Sequence, residues 1–337
     1  MRRIPALVST AALATVLAAS LVGCSTGPST DVDSCVPLYA SGDASELVTA
    51  TGDVGEQPNI DFPAPIVSRT PERTVLVEGE GIVATTGMTV DFDAAILDAA
   101  TGEQLLATKF DGTPGVRYRA GEPAEEDAPV GSLAAALVCA QAGQRLAVTS
   151  TVLESGLDFS SVGLDDEASV VFVVDVQAVY LAKADGANQL PEDGMPHVVT
   201  APDGTPGITV PSGGPPSESA SSTIKAGGGA PIADGDNAVL NISIWVWPAD
   251  DSDISQPYTS WGSVPITQPI TEDPTAQAGV PKGVYDALLG AKVGSQVLAV
   301  VVPADSYAEG AWPSGTNSGD TLIYVIDVLG IQHLDEK

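Results

Sequence analysis

Three blocks of this chain occur twice, in the same order and at nearly constant spacing. VLVEGEGIVATTGMTVDF (75–92) parallels STIKAGGGAPIADGDNAVL (222–240), where Gly79, Gly81 and Gly87 match Gly227, Gly229 and Gly235 at a spacing of 148. AALVCAQAGQRLAV (135–148) parallels DALLGAKVGSQVLAV (286–300), where Ala136, Leu137, Ala140 and Gly143 match Ala287, Leu288, Ala291 and Gly294 at a spacing of 151. SVVFVVDVQAV (169–179) parallels TLIYVIDVLGI (321–331), where Phe172 and Asp175 match Tyr324 and Asp327 at a spacing of 152. Colinear blocks with steady offsets are the mark of tandem copies. The 337 residues leave room for two cores.

Each copy has the same coarse pattern. A strand meets a glycine-rich turn, and a second strand follows. After a long polar, proline-rich stretch come a short helix, another strand, a loop and a last strand. VVFVVDV and LIYVIDV are branched apolar runs, as in strands buried on at least one face. AALVCA and YDALLGA give one helix per copy, each with a glycine soon after that suits a C-terminal cap. Trp245 and Trp247 alternate around Val246 and share one face. They are either partner contacts or covered by the proline-rich stretch.

The composition removes several classes of function. Acidic residues number 44 against 13 basic, a net charge of -31. That argues against nucleic acid, which needs clustered Lys and Arg, and against electrostatic docking on anionic lipid. His197 and His333 are far apart and no CxxC occurs, so no structural zinc is expected. ADDSDIS is not a full calcium loop. GCSTG sits at a leader rather than at a strand-turn-helix elbow. GEG and GGG lack the following helix of a dinucleotide site. No cofactor or metal is implied.

The N-terminus carries Arg2 and Arg3, then the apolar stretch ALVSTAALATVLAASL, then Leu21-Val22-Gly23-Cys24. The stretch is short for a membrane span. LVGC resembles a bacterial lipobox, which implies cleavage before Cys24, acylation of its thiol and a protein body held outside the membrane. Cys35 and Cys139 then remain in a compartment that permits disulfides. A bridge between them would be worth roughly 4 to 5 kcal/mol in the chain-entropy model. Two separate buried thiols are the other reading.

The second copy resembles the FKBP-type peptidyl-prolyl isomerases. GVYDALLGAKVG, PADSYAEG and TLIYVIDVLGI stand where that family has a Gly-Trp helix, a Pro-x-x-x-Tyr-Gly loop and a terminal Thr-Leu-Val-Phe strand. KAGGGAPIADGD resembles the family's GDG-x-x-V-x-x-GD turn. The arm GMPHVVTAPDGTPGITVPSGGPP and the lipobox look like those of tandem FKBP-like lipoproteins of actinobacteria. The resemblance implies an α+β fold of two tandem FKBP-like domains, each a five-stranded antiparallel sheet wrapped around one short helix. The implied boundaries are a signal peptide at 1–23, a tether at 24–45, a degenerate domain at 46–185, an arm at 186–221 and a second domain at 222–337.

It also implies a proline-sized pocket between helix and sheet. Tyr307 would be the carbonyl-binding catalytic residue. Tyr324, Val280, Pro281, Val284, Ile242, Trp261, Tyr258 and Ile266 would line the substrate site. Such a pocket needs no nucleophile, since a dry apolar wall disfavours the planar polar amide relative to the twisted one. There are departures. Val284 stands at the family's tryptophan, PYTSWG has no aspartate, and Ala308 follows Tyr307. The first copy's loop TVLESGLDFSS has no tyrosine, so only the second copy is a candidate for activity. The implied partners are proline-containing segments of exported proteins and, through acylated Cys24 alone, the lipid bilayer. The implied place is the outer face of the cell membrane. A noncatalytic binding or structural module of the envelope is the alternative, and a solute-capturing lipoprotein a third.

Overall fold

The computed structural model describes residues 28–123, 129–247 and 253–332. The leader, Cys24 and His333 lie outside these residues. The first half contributes strands β1 (Thr49–Thr51), β2 (Asn59–Asp61), β3 (Glu72–Val77), β4 (Thr89–Asp98), β5 (Gln104–Ala107), β6 (Val116–Arg119), β7 (Arg145–Thr151) and β8 (Ser169–Tyr180). The second contributes β9 (Ala187–Asn188), β10 (His197–Thr200), β11 (Pro206–Thr209), β12 (Ala220–Ala226), β13 (Asn237–Trp247), β14 (Ser255–Thr259), β15 (Ile266–Pro269), β16 (Gln296–Val301) and β17 (Thr321–Gln332). The helices are α1 (Ser132–Ala136), α2 (Val152–Ser155) and α3 (Lys282–Leu288).

One large sheet has the order β3-β7-β8-β4-β5, with β6 also on β4. The other has the order β14-β13-β17-β16-β12-β9, with β15 also on β13. All the pairings are antiparallel. The repeat is visible in the detail. The β4–β8 register slips between Asp91 and Phe92, and the β13–β17 register slips between Val239 and Leu240, again 148 residues on. Such a bulge bends a strand and increases its twist.

β8 and β17 are apolar at odd and even positions because both of their faces are covered. Phe172 and Val174 face Leu133 and Leu137 beside α1, while Val171 and Val173 meet Val48, Ile66 and Phe110 on the other side. Tyr324 and Ile326 face Val284 and Leu288 of α3. Ile323 and Val325 meet Trp245, Trp247 and Met195, with Val198 and Ile208 of the β10–β11 hairpin packed alongside. The two tryptophans are therefore buried beneath the proline-rich arm.

The expected α+β class, with two five-stranded sheets each wrapped around one helix, is not what the chain forms. Seventeen strands in four sheets and three helices of 5, 4 and 7 residues make the described residues mostly β. The main sheets have six and seven strands. Two small hairpins, β1–β2 and β10–β11, supply further sheets. The halves also pack against each other. Met88, Tyr180 and Leu181 form a buried cluster with Val239 and Leu329. Arg117 donates to Pro265 O at 3.1 Å and Thr267 Oγ1 at 2.9 Å across the junction. The layout implied by the resemblance accounts for the helix-covered face alone and leaves out the second layer.

Cys35 and Cys139 are joined in a disulfide that spans 104 residues of sequence. α1 stops at Ala136 instead of running through 140, and Cys139 itself takes a left-handed φ of 68° beyond it. In α3 the glycine is where a C-terminal cap needs it, with Gly290 at φ 81°.

Candidate functional site

The inner face of the second sheet and α3 form two apolar walls. α3 lies close on β16 because residue 283 is glycine. A Cβ there would sit 2.6 Å from Val301 Cγ1. Val284 and Leu288 turn into the sheet, where they join Ile242, Ile244, Val301 and Tyr324. The chain leaves β16 through a short 3-10 turn, Pro303–Asp305, which sets Tyr307 against this cluster. The Tyr307 ring meets Trp312 edge-on, with centroids 5.9 Å apart and planes at 62°.

Tyr324 Oη donates to Tyr307 Oη at 3.2 Å. The contact is long for two hydroxyls. Its direction matters, since a phenol that accepts from its neighbour keeps its own proton free to give. Tyr324 is 2% exposed. Burial, and then the phenol of Tyr307, push its ionisation well above the ordinary tyrosine value. Burial raises Tyr307 as well, partly offset by the hydrogen bond it accepts. Both rings are neutral at physiological pH, and Tyr307 is the half-buried member of the pair.

The residues singled out in the sequence divide into groups. Tyr307, Tyr324, Val280, Val284, Ile242 and Ile266 come together in one cluster. Tyr258 pairs with Ile244 across β13–β14 and stands at the rim, 39% exposed. Trp261 is not in the cluster. Its Nε1 is 3.4 Å from where a Cβ on Gly204 would be, buried and without a hydrogen-bond partner. Pro281 is the N-cap of α3, and its carbonyl accepts from Val284 N and Tyr285 N. Val280 has its backbone engaged on both sides. Its N–H donates to Thr271 O and its carbonyl accepts from Asp273 N, both at 2.8 Å. Neither Val280 nor Pro281 has a free N–H to offer.

Trp312 was missed in the sequence. The signal was an aromatic five residues after Tyr307 in the same loop, which carried weight only once the loop was known to fold back. In the first half the equivalent positions lack the hydroxyl pair. Gly156 stands opposite Tyr307 in the repeat and Phe172 opposite Tyr324. A cleft of about 910 Å³ lies there instead, walled by Tyr118, Leu133 and Leu157 and closed from the second half by Gly262–Val264.

Among the described residues no group of three or more His, Cys, Asp or Glu could hold a metal ion. Among them, too, no helix is long and apolar enough to cross a membrane. No protein-family model matches the sequence, and no curated protein matches it. Solved structures of FKBP-domain proteins are among those that the chain matches. FkpA from Escherichia coli is 21% identical, with a TM-score of 0.28 over 42% of this chain and 53% of that one. The chain thus spans about half the length of FkpA. The three FKBP domains of wheat FKBP73 are 14% identical, with a TM-score of 0.30 over 78% of this chain and 94% of that one. The N-terminal domain of FKBP42 from Arabidopsis thaliana is 18% identical, with a TM-score of 0.29 over 38% and 98%.

Proposed function

We propose that the second half binds proline-containing segments of exported proteins and accelerates rotation about the X-Pro bond. In this reading the protein is held at the outer face of the cell membrane through an acylated Cys24. The observation that carries the activity is the Tyr324–Tyr307 pair, which leaves the Tyr307 proton free beside an apolar wall. Rotation about an X-Pro bond has a barrier near ~20 kcal/mol and takes tens of seconds unaided. A twisted amide loses its charge separation, so a dry wall of Ile242, Val284 and Trp312 disfavours the planar form more than the twisted one. Tyr307 would hold the carbonyl oxygen and fix which bond enters. No covalent step is needed.

A second reading is a noncatalytic binding module. It is favoured by the backbone of Val280 and Pro281, which supplies no second donor, and by aliphatic Val284 as the floor. A protease-coupled assay on X-Pro peptides with the full chain separates the two. The isomerase reading expects a rate above background and a loss of about ten-fold in Tyr307→Phe, the worth of one hydrogen bond near 1.4 kcal/mol. A rate that stays at background while peptide still binds leaves the module. A Tyr307→Phe protein as active as the parent would remove the role given to that hydroxyl. Mass spectrometry of the mature N-terminus tests the anchor, which an unmodified Cys24 would exclude.

A further inference from the structure

The junction between the halves contains a second cavity, of about 820 Å³, whose lining does not include Tyr307. Its apolar walls are Ile82, Val179, Leu181, Val293, Leu329 and Ile331. The same repeat positions build it from both sides. Gly81 faces it with Gly229, Ala142 with Val293, Ala178 with Gly330 and Val179 with Ile331. Few lining groups are polar, namely Glu80, Gln177, Tyr180 and Asp185 besides the backbone. Burial raises the carboxyl of Asp185, consistent with a dry wall. A Cβ on Gly81 or Gly228 would meet nothing within 4 Å, so the space at these positions is open. The volume is in the range of small-ligand sites, and an open apolar lining of this kind usually marks a binding surface.

The chain itself leads here. Pro28, the first described residue, lines the cavity, and the next residue is pinned, since Ser29 O accepts from Val83 N at 2.8 Å. Cys24 is four residues upstream of Pro28, a reach of at most about 14 Å when extended. We infer that this cavity is an acyl-chain site, and that its occupant is a fatty acyl chain carried by Cys24 of the same molecule. The inference rests on the acylation of Cys24 proposed above. With the chain in the cavity the protein would be less firmly held in the bilayer. With the chain in the bilayer the cavity would open toward the lipid surface.

The test compares two forms of the full mature chain. One is isolated acylated from membranes, and the other is Cys24→Ser exported behind an ordinary secretory leader, so that it forms the Cys35–Cys139 disulfide but is not acylated. Both are titrated with cis-parinaric acid without detergent. Saturable binding of one equivalent is expected for the unacylated chain, and binding at least ten-fold weaker for the acylated one. Ala178→Trp and, from the other half, Ala230→Trp should each abolish binding by the unacylated chain. Because Ala230 is exposed, its variant keeps the test valid if Ala178→Trp does not fold. The inference is overturned if the unacylated chain does not bind, if the acylated chain binds equally well, or if both tryptophan variants bind like the parent. A free thiol found at Cys24 by mass also removes the proposed occupant. That failure is told apart because fatty-acid binding by the unacylated chain does not depend on modification.

Discussion

Asp175 and Asp327 occupy the same place in the two halves, but their surroundings differ. In the first half the buried carboxylate of Asp175 meets Arg145 at 2.6 Å through both oxygens. In the second half Gln296 replaces the arginine. Asp327 accepts from Gln296 Nε2 and from Ala184 N, each at 2.8 Å, and among the described residues it has no ion-pair partner. Burial is the largest influence on it. These two hydrogen bonds, Lys225 and Lys183 only partly oppose burial, and the carboxyl is pushed up to about 6. An acid whose folded value is raised binds its proton more tightly folded than unfolded. The contribution of Asp327 to stability is therefore fully present below pH ~4 and is lost as pH rises through ~6. That elevation corresponds to about 3 kcal/mol, to order of magnitude. Urea unfolding followed by tryptophan fluorescence measures this directly, because all four tryptophans, at 245, 247, 261 and 312, lie in the second half. In Asp327→Asn the loss between pH 4 and 6.5 should be smaller by about that amount, since an amide does not ionise. Asp175→Asn should destabilise the first half across the range, because it leaves Arg145 buried without its counter-charge. If parent and Asp327→Asn kept the same pH slope, the burial argument would be refuted.

Two further outcomes follow from the packing. Gly330→Ala should cost about 1–3 kcal/mol and loosen the junction, because the new Cβ would be 2.3 Å from Tyr180 Cδ1; thermal unfolding checks this, and an unchanged Tm would show that the ring moves freely. Reduction of Cys35–Cys139 should lower stability by roughly 4 to 5 kcal/mol in the chain-entropy model. Urea unfolding with and without reductant reads the difference, and coincident curves would mean that the bridge constrains nothing.

The repeat was fully legible in the sequence, and the fold returns it down to the bulges at 91–92 and 239–240. The two central strands were legible because VVFVVDV and LIYVIDV have no polar alternation. The same lack of alternation also meant that both faces were covered, but the covering segments are polar, Pro-rich and irregular, and have no period of their own. Ile66, Met195 and Ile208 stand in short pieces such as PIV, GMP and GITV, too brief to show a period. Tyr307 and Tyr324 were singled out from their motifs, and the fold brings them together. Trp312 and the engaged backbone of Val280 could not be singled out, because both depend on how a loop folds back in space. Arg117 lies in the stretch read only as polar and proline-rich, yet it stands in β6, and its partners at 265 and 267 are about 150 positions away.

The bridge from Cys35 to Cys139 also changes how the molecule carries load. A pull on the N-terminal end reaches Cys35 and passes straight through sulfur to Cys139, beyond α1. The residues between them, with β1 to β6, hang off this path as a closed loop under no tension. Force enters the first sheet only at β7, whose neighbours on both sides must be sheared for it to leave. Under a pull from the N-terminal end the chain is thus covalently reinforced over its first segment, and the second half with Tyr307 is reached last.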